Sequence, residues 1–150
     1  MTQTIKRGLL LGAAAAVLIL ALYPIPSPAT PRWEVWVVDE KGNPVEGALV
    51  RLDWQNYSAE TTDHEESLYS DENGHVLFPA RTLRACFLRR AVGTAFAATG
   101  GVHASFGPHA FVIAFGQGRS TGVAVSDGNV TDWTGTPFQM QSRIVLKPAR

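Results

Sequence analysis

Histidine and cysteine side chains are the first candidates for chemistry in this chain of 150 residues, which has four histidines and one cysteine. His103 and His109 flank a Ser-Phe-Gly-Pro segment, and two imidazoles on opposite sides of a turn could meet at one metal ion. A small metal-dependent enzyme is therefore one hypothesis. The alternative is that each histidine hydrogen-bonds a loop carbonyl. Cys86 lies one helical turn before Arg90, which would favour the thiolate, but no partner base is identifiable.

The polar stretch at 55–66 contains His64 among acidic residues. Its oxygen atoms could hold Ca²⁺, but the spacing matches no EF-hand loop with an internal glycine. No Gly-x-Ser-x-Gly motif surrounds Ser105, so a serine nucleophile has no support either. We therefore expect a solvated acidic loop, and we predict no catalytic, cofactor-binding or metal-binding residue.

Aromatic residues support a binding hypothesis, since the chain contains four tryptophans. Trp54, Tyr57 and Trp133 could stack on sugar rings, as aromatic side chains do in carbohydrate-binding modules. Trp33 and Trp36 are three positions apart in a predicted strand and therefore point to opposite faces. Trp54 continues an apolar strand face, so packing in the core explains it as well.

Charge narrows the possible partners. The chain has 13 basic and 13 acidic side chains and no basic cluster that would neutralise phosphates, so we expect no nucleic-acid partner. Residues 53–72 hold seven acids and no Lys or Arg, whereas four arginines lie within residues 81–90. Those arginines could meet a partner protein or anionic headgroups, or they could pair with the acidic stretch.

The N-terminus predicts export. Lys6 and Arg7 precede an uncharged, apolar run at 8–23, which a proline-rich segment at 24–31 ends. A basic start, an apolar middle and small residues at Ser27 and Ala29 are typical of a signal peptide, and an uncleaved membrane anchor is the alternative. We therefore divide the chain into a signal peptide or anchor at 1–29 and one exported domain at 30–150.

Short strands dominate the predicted domain. Period-2 or β-branched patterns predict strands at 33–38, 48–54, 75–78, 109–115, 123–125 and 143–147, and the strand at 109–115 is expected to be central. Asn73-Gly74 predicts a hairpin turn. Apolar residues at 87, 88, 91, 92, 95 and 96 predict that one helix at about 82–98 buries this face. The expected fold is mainly β, an antiparallel sandwich with one inserted helix and an N-terminal hydrophobic helix.

Two segments carry a resemblance to a known family: VDEKGNPVEGALV at 38–50 and SDENGHVLF at 70–78. They resemble the carboxypeptidase regulatory-like domains, although that family usually has Thr where this chain has Ser70. The resemblance implies a transthyretin-like Greek-key sandwich, in which Asp39 and Asp71 accept hydrogen bonds from turn amides. It also implies a non-enzymatic module and no cofactor.

Intradiol dioxygenases share a related sandwich and bind iron through two Tyr and two His, the latter as His-x-His. This chain offers Tyr57, Tyr69, His103 and His109 but no His-x-His, so we do not expect that activity. The sequence therefore predicts a non-enzymatic structural or protein-interaction module at the cell envelope, periplasmic or on the surface. Its expected partners are an envelope protein or a polysaccharide, and the membrane if residues 8–23 stay attached. A carbohydrate-binding module and the metal-dependent enzyme remain alternatives.

Overall fold

A computed structural model describes residues 3–116, 122–123, 125–126, 129–130 and 132–147 of the chain. The described part is mainly β, as predicted. The helices are α1 (Gln3–Leu22) and α2 (Phe87–Ala98), and the strands are β1 (Pro24–Thr30), β2 (Arg32–Asp39), β3 (Leu49–Asn56), β4 (His64–Tyr69), β5 (His75–Phe78), β6 (Arg81–Cys86), β7 (Pro108–Phe115), β8 (Gly122–Val123), β9 (Val125–Ser126), β10 (Asn129–Val130) and β11 (Gln139–Leu146).

The strands form two packed sheets and a separate ribbon. One sheet has the order β10-β9-β11-β2-β5, the other has the order β4-β3-β7-β8, and β1 pairs with β6 alone. The prediction of a central strand at 109–115 is confirmed, because β7 lies between β3 and β8. The expected all-antiparallel arrangement is wrong at one place: β11 runs parallel to β2 along its whole length. The finer expectation of a transthyretin-like Greek key stays a prediction.

The core lies between the two sheets. Alternation along β3 buries Val50 and Leu52 on its inner face, as the sequence pattern predicted. The buried cluster draws on both sheets and on two residues outside the strands, and its members are Trp33, Val35, Val37, Ala48, Val50, Leu52, Val76, Phe78, Ala110, Val112, Ala114, Trp133, Ile144 and Leu146. Trp33 also donates its indole N–H to Ser142 Oγ at 2.9 Å, which satisfies a buried polar pair.

Two aspartates organise turns, as predicted. Asp39 Oδ1 accepts hydrogen bonds from the backbone N–H of Lys41 and of Asn43, each at 2.9 Å. Asp71 Oδ1 accepts from Asn73 N–H at 2.9 Å and from His75 N–H at 2.8 Å. These side chains replace water at backbone donors that the turns leave unpaired.

The predicted hairpin at Asn73-Gly74 is wrong, although the turn itself is present. β4 pairs with β3 in one sheet, whereas β5 pairs with β2 in the other, so the turn carries the chain between the sheets. Gly74 has φ +71°, and a Cβ there would lie 2.3 Å from the carbonyl oxygen of Val37. The Asn-Gly sequence thus forms a turn as predicted, but this turn crosses between the two sheets and has room only for glycine at position 74.

The predicted helix at 82–98 begins late, because residues 81–86 form β6. This strand pairs with the proline-rich β1 from Pro24↔Cys86 to Thr30↔Arg81. Pro24, Pro26 and Pro28 alternate along β1, so the residues between them retain the N–H groups, a pattern that an edge strand tolerates. The pairing of residues 81–86 with β1 therefore outweighs the helical periodicity of the sequence before Phe87.

The apolar face of α2 points away from the domain, contrary to the prediction. Cys86, Arg90, Gly93 and Ala97 are half-buried at helical spacing, while Phe87, Leu88, Val92 and Phe96 are exposed. A Cβ at Gly93 would lie 2.4 Å from the carbonyl oxygen of Ser58. The helix therefore packs on the domain through its small residues.

Helix α1 is long and apolar enough to cross a membrane. The segment Ile5–Leu22 has a mean hydropathy of 2.0, and none of it is buried. This agrees with the predicted N-terminal hydrophobic helix. Residue 124, in the middle of the predicted strand at 123–125, lies outside the described residues.

Candidate active site

A cleft of about 200 Å³ opens on the outer face of the four-stranded sheet. Asp53 and Gln55 project from β3 on this face, because alternate residues of a strand share a side. Their partners across the β3–β7 pairing are Phe111 and His109, respectively. The complete lining is Asp53, Trp54, Gln55, Tyr57, Asp63, His109 and Phe111.

The loop at 56–64 supplies Tyr57 and Asp63 to the cleft. Buried Asn56 holds the loop, since its carbonyl oxygen accepts from Ala59 N–H at 2.8 Å and its Oδ1 accepts from Ser58 N–H at 3.2 Å. Glu60 closes it by accepting from Asn56 N–H at 3.0 Å and by contacting His64 Nε2 at 2.9 Å. The first part of the predicted solvated loop, residues 56–60, is thus folded against the sheet, whereas residues 61–65 are exposed as predicted.

His109 lines the cleft from β7. Its ring meets the Tyr57 ring edge to face at a centroid distance of 6.3 Å. Two backbone hydrogen bonds between Ala110 and Trp133, at 2.9 and 2.7 Å, place Asp132 beside this histidine. The Asp132 carboxylate oxygen lies 4.0 Å from His109 Nε2.

The environment of Asp53 disfavours its charged form relative to an aspartate in water. Burial raises the pKa of Asp53, the negative charges of Asp63 and Glu65 raise it further, and the guanidinium of Arg51 opposes the shift. A carboxyl group that keeps its proton longer than usual can donate it to a bound molecule. Asp53 is therefore the candidate general acid of the cleft.

The tryptophans offer little surface for stacking. Trp133 is fully buried and donates its indole N–H to Pro137 O, so it is not a sugar platform. His64 stacks on Trp54 at a centroid distance of 5.4 Å, and the guanidinium of Arg81 lies 5.2 Å from the same ring. Of the three aromatic residues that were candidates for sugar stacking, Tyr57 is the one whose ring lies against His109 in the cleft.

The histidine pair does not meet in this structure. His109 lines the cleft, whereas His103 lies on a short 3₁₀ helix, Gly101–His103, outside the lining. Within the described part of the chain, no group of three or more His, Cys, Asp and Glu side chains could hold a metal ion. Cys86 is half-buried and caps α2, with Sγ accepting from Arg89 N–H at 3.5 Å.

Comparison with known proteins gives structural matches only. No protein family and no curated protein matches the chain. A 3-chlorocatechol 1,2-dioxygenase from Rhodococcus opacus 1CP resembles it with a TM-score of 0.49 and 16% identity, over 87% of this chain and 64% of that chain. A hydroxyquinol 1,2-dioxygenase from Pseudomonas putida DLL-E4 gives 0.43 and 13%, over 84% and 57%. The chain thus spans less than two thirds of either dioxygenase.

These matches contradict two expectations from the sequence. The structures that resemble this chain are dioxygenases and not carboxypeptidase regulatory-like domains, so the family assignment is wrong. The prediction of a non-enzymatic module is contradicted by the same matches. The likeness concerns the course of the chain. At these identities and TM-scores it brings no substrate and no site residue to this protein.

The iron-binding set of intradiol dioxygenases does not fit the side chains of the cleft. That set requires two tyrosines and two histidines, but Tyr57 and His109 alone reach the cleft. Tyr69 is 72% exposed on β4, and His64 is engaged with Glu60 and Trp54. We therefore assign no chemical step to a metal here.

Asp53 is the functional candidate that the sequence analysis did not identify. Its position within the second predicted strand, 48–54, is correct. The sequence did contain a signal, because Asp is uncommon within β-strands and Asp53 directly precedes Trp54. The partner Asp63 lies ten residues later in a loop, and only the fold brings the two carboxyl groups to one cleft.

Proposed function

We propose that the cleft binds a small, neutral, hydroxyl-rich molecule of about one sugar ring and hydrolyses its glycosidic bond by general acid–base catalysis. One observation carries this proposal: Asp53, with its raised pKa, shares a cleft with the second carboxyl group of Asp63. A protonated and an ionised carboxyl group on either side of a bond are the elements of glycoside hydrolysis.

The charges and donors of the cleft favour this substrate class. Asp63 repels an anionic ligand, because the lining of the cleft contains no Lys or Arg. Gln55 and the Tyr57 hydroxyl offer hydrogen bonds to hydroxyl groups, and Phe111 offers apolar contact.

The proposed step is balanced by two proton transfers. Asp53 donates its proton to the leaving oxygen as the glycosidic bond breaks, and water attacks the anomeric carbon. The carboxylate of Asp63 accepts the proton that the water loses. His109, which lines the same cleft from β7, orients the bound molecule.

The test uses the full chain in detergent and a series of 4-nitrophenyl glycosides of neutral hexoses and N-acetylhexosamines. We expect Asp53→Asn to lower kcat about 100-fold or more on the matching methyl glycoside. The loss should be smaller on the 4-nitrophenyl glycoside, whose leaving group needs no acid. Glu40→Gln, an exposed turn residue, is the matched control. Sugar binding without turnover in the unaltered protein would contradict the enzyme and leave a carbohydrate-binding module.

We also propose that α1 remains attached as a membrane anchor and that the β domain is exported. Ala29 and Thr30, at the expected cleavage point, are buried at 5% and 1% exposure. Cleavage after Ala29 would remove Pro24 to Ala29 and with them every partner of β6 in the ribbon except Thr30. Carbonate extraction of membranes expressing the full chain should leave it in the pellet at full length. Release as a shortened soluble protein would contradict the anchor.

A further inference from the structure

We propose that α2 lies in the outer interface of the same bilayer that α1 crosses, with its apolar face in contact with lipid. This proposal rests on the membrane anchor proposed above. It is independent of the chemistry of the cleft.

The ribbon brings α2 back to the point where α1 ends. α1 ends at Leu22, and Pro24, the first residue of β1, pairs with Cys86, the last residue of β6. Neighbouring strands lie about 5 Å apart, so the chain leaves α1, runs along β1, and returns along β6 to start α2 beside it. The two helices are also in contact. If α1 crosses the bilayer, α2 begins at its surface.

The outward face of α2 has the composition of a lipid-binding surface. Gly93 fixes which face packs on the domain, because its close approach to Ser58 excludes any larger residue. The opposite face presents Leu88, Val92 and Phe96, which are 51%, 61% and 72% exposed. No acidic residue occurs from Phe87 to Ala98. An apolar face next to a membrane helix gains free energy by entering the interface.

The arginines of α2 fit the same orientation. Arg90 is held by the ribbon, donating to Ser27 Oγ at 2.8 Å and to the carbonyl oxygen of Ile25 at 3.1 Å. Arg89 is exposed beside the apolar face, where its long side chain can reach lipid phosphates. Exposed apolar side chains continue after the helix at Val102 and Phe106, with 96% and 54% exposure.

The experiment measures the surroundings of single nitroxide labels on the full chain. In a Cys86→Ser background the helix keeps a good N-cap residue, and the label is attached at Leu88→Cys or Val92→Cys. Val17→Cys in α1 reports the span, and Leu77→Cys on β5 reports water. Each protein is reconstituted into vesicles of equal phosphatidylcholine and phosphatidylglycerol. Collision rates with oxygen and with a water-soluble nickel chelate are then compared.

We expect the oxygen-to-nickel ratio at positions 88 and 92 to be severalfold above that at 77 and closer to that at 17. Ratios equal to that at 77, with a lipid value at 17, would overturn the α2 proposal and leave the anchor intact. Oxygen-to-nickel ratios equal to that at 77 at all three positions, 17, 88 and 92, would overturn both the α2 proposal and the membrane anchor. Spin–spin broadening at 88 and 92 would place a second copy of the chain on this face and also overturn the proposal.

Discussion

Asp53 gains a raised pKa from the fold, since burial and two nearby acids act on it together and Arg51 only partly offsets them. Because these interactions disfavour the charged side chain, ionisation of Asp53 lowers the stability of the folded state. Above the ordinary Asp pKa, the unfolded chain has lost a proton that the folded chain still binds. Stability therefore falls as pH rises from that value to the raised pKa of the folded protein.

Asp53→Asn should consequently stabilise the domain at neutral pH and leave it unchanged at strongly acidic pH. The gain should be about 0.5 kcal/mol or less, because the cleft is open to water. Chemical unfolding of the full chain in detergent at several pH values measures it. A gain that is equal at every pH would show that the charge of Asp53 is not its source.

Asp63 offers a direct test of the coupling between the two carboxyl groups. Its negative charge is one of the causes of the raised pKa of Asp53. Asp63→Asn should lower the pKa of Asp53, as followed by the NMR titration of its side-chain carboxyl carbon. Glu72→Gln, an exposed turn residue, should leave that titration unchanged. An unchanged titration in Asp63→Asn would separate the two groups and remove the basis of the proposed hydrolysis.

At the scale of the elements, local pattern predicted the strands well where their two faces differ in environment. β2, β3, β5, β7 and β11 lie within a few residues of their predicted bounds. The failures share a physical cause. β1 and β6 form because each is the other's partner, and the apolar stripe of α2 faces outward because Gly93 selects the opposite face. Neither the pairing of distant strands nor the close contact of Gly93 with Ser58 is visible in local periodicity.

The cleft shows the same limit. The sequence identified Tyr57 and His109, and it placed Asp53 and Asp63 correctly on a strand and in a loop. It could not bring them together, since the β3–β7 pairing joins residues more than fifty positions apart. The hypothesis that His103 and His109 meet at one metal ion rested on spacing alone, and the structure places His103 on a 3₁₀ helix outside the cleft.

In the ribbon of β1 and β6, we expect two substitutions of Ser27 to lower the stability of the protein by different amounts. This residue keeps a backbone N–H between two prolines, and its hydroxyl accepts a hydrogen bond from Arg90. Ser27→Ala should cost about 1 kcal/mol, the side-chain hydrogen bond alone. Ser27→Pro should cost more and speed amide exchange in β6, because the strand would lose a backbone donor. Equal exchange in the two variants would show that β1 does not hold β6.

Gly93 predicts how firmly α2 is held on the domain. Gly93→Ala places a methyl group against the Ser58 carbonyl, so the helix must shift at a cost of about 1–3 kcal/mol. Gly12→Ala makes the same change in α1, where nothing lies within 4 Å. Limited proteolysis after Arg89 and Arg90 should accelerate in Gly93→Ala only. Equal rates in the two variants would contradict the close contact with Ser58.

At the scale of the whole molecule, the two sheets are joined where the 71–74 turn crosses between them. Val37 N–H donates to Gly74 O at 2.8 Å and joins β2 to this turn, while Val37 O accepts from Val45 N–H at 3.0 Å. The core forms only if both sheets close over it. A distortion at Gly74 should therefore destabilise the entire sandwich and not the turn alone.

Two glycines separate the contributions of backbone strain and close contact to this effect. Gly47 and Gly74 have nearly the same backbone, φ +69° and φ +71°, but a Cβ at Gly47 meets nothing within 4 Å, whereas one at Gly74 meets the Val37 carbonyl oxygen. Gly47→Ala should cost about 1–2 kcal/mol, the strain of a left-handed alanine. Gly74→Ala should cost at least about 3 kcal/mol, because the β2 backbone must move as well. Unfolding followed by the fluorescence of the tryptophans should show one cooperative transition at a lower midpoint in Gly74→Ala. Equal midpoints in the two variants would mean that the sheets do not depend on this crossing.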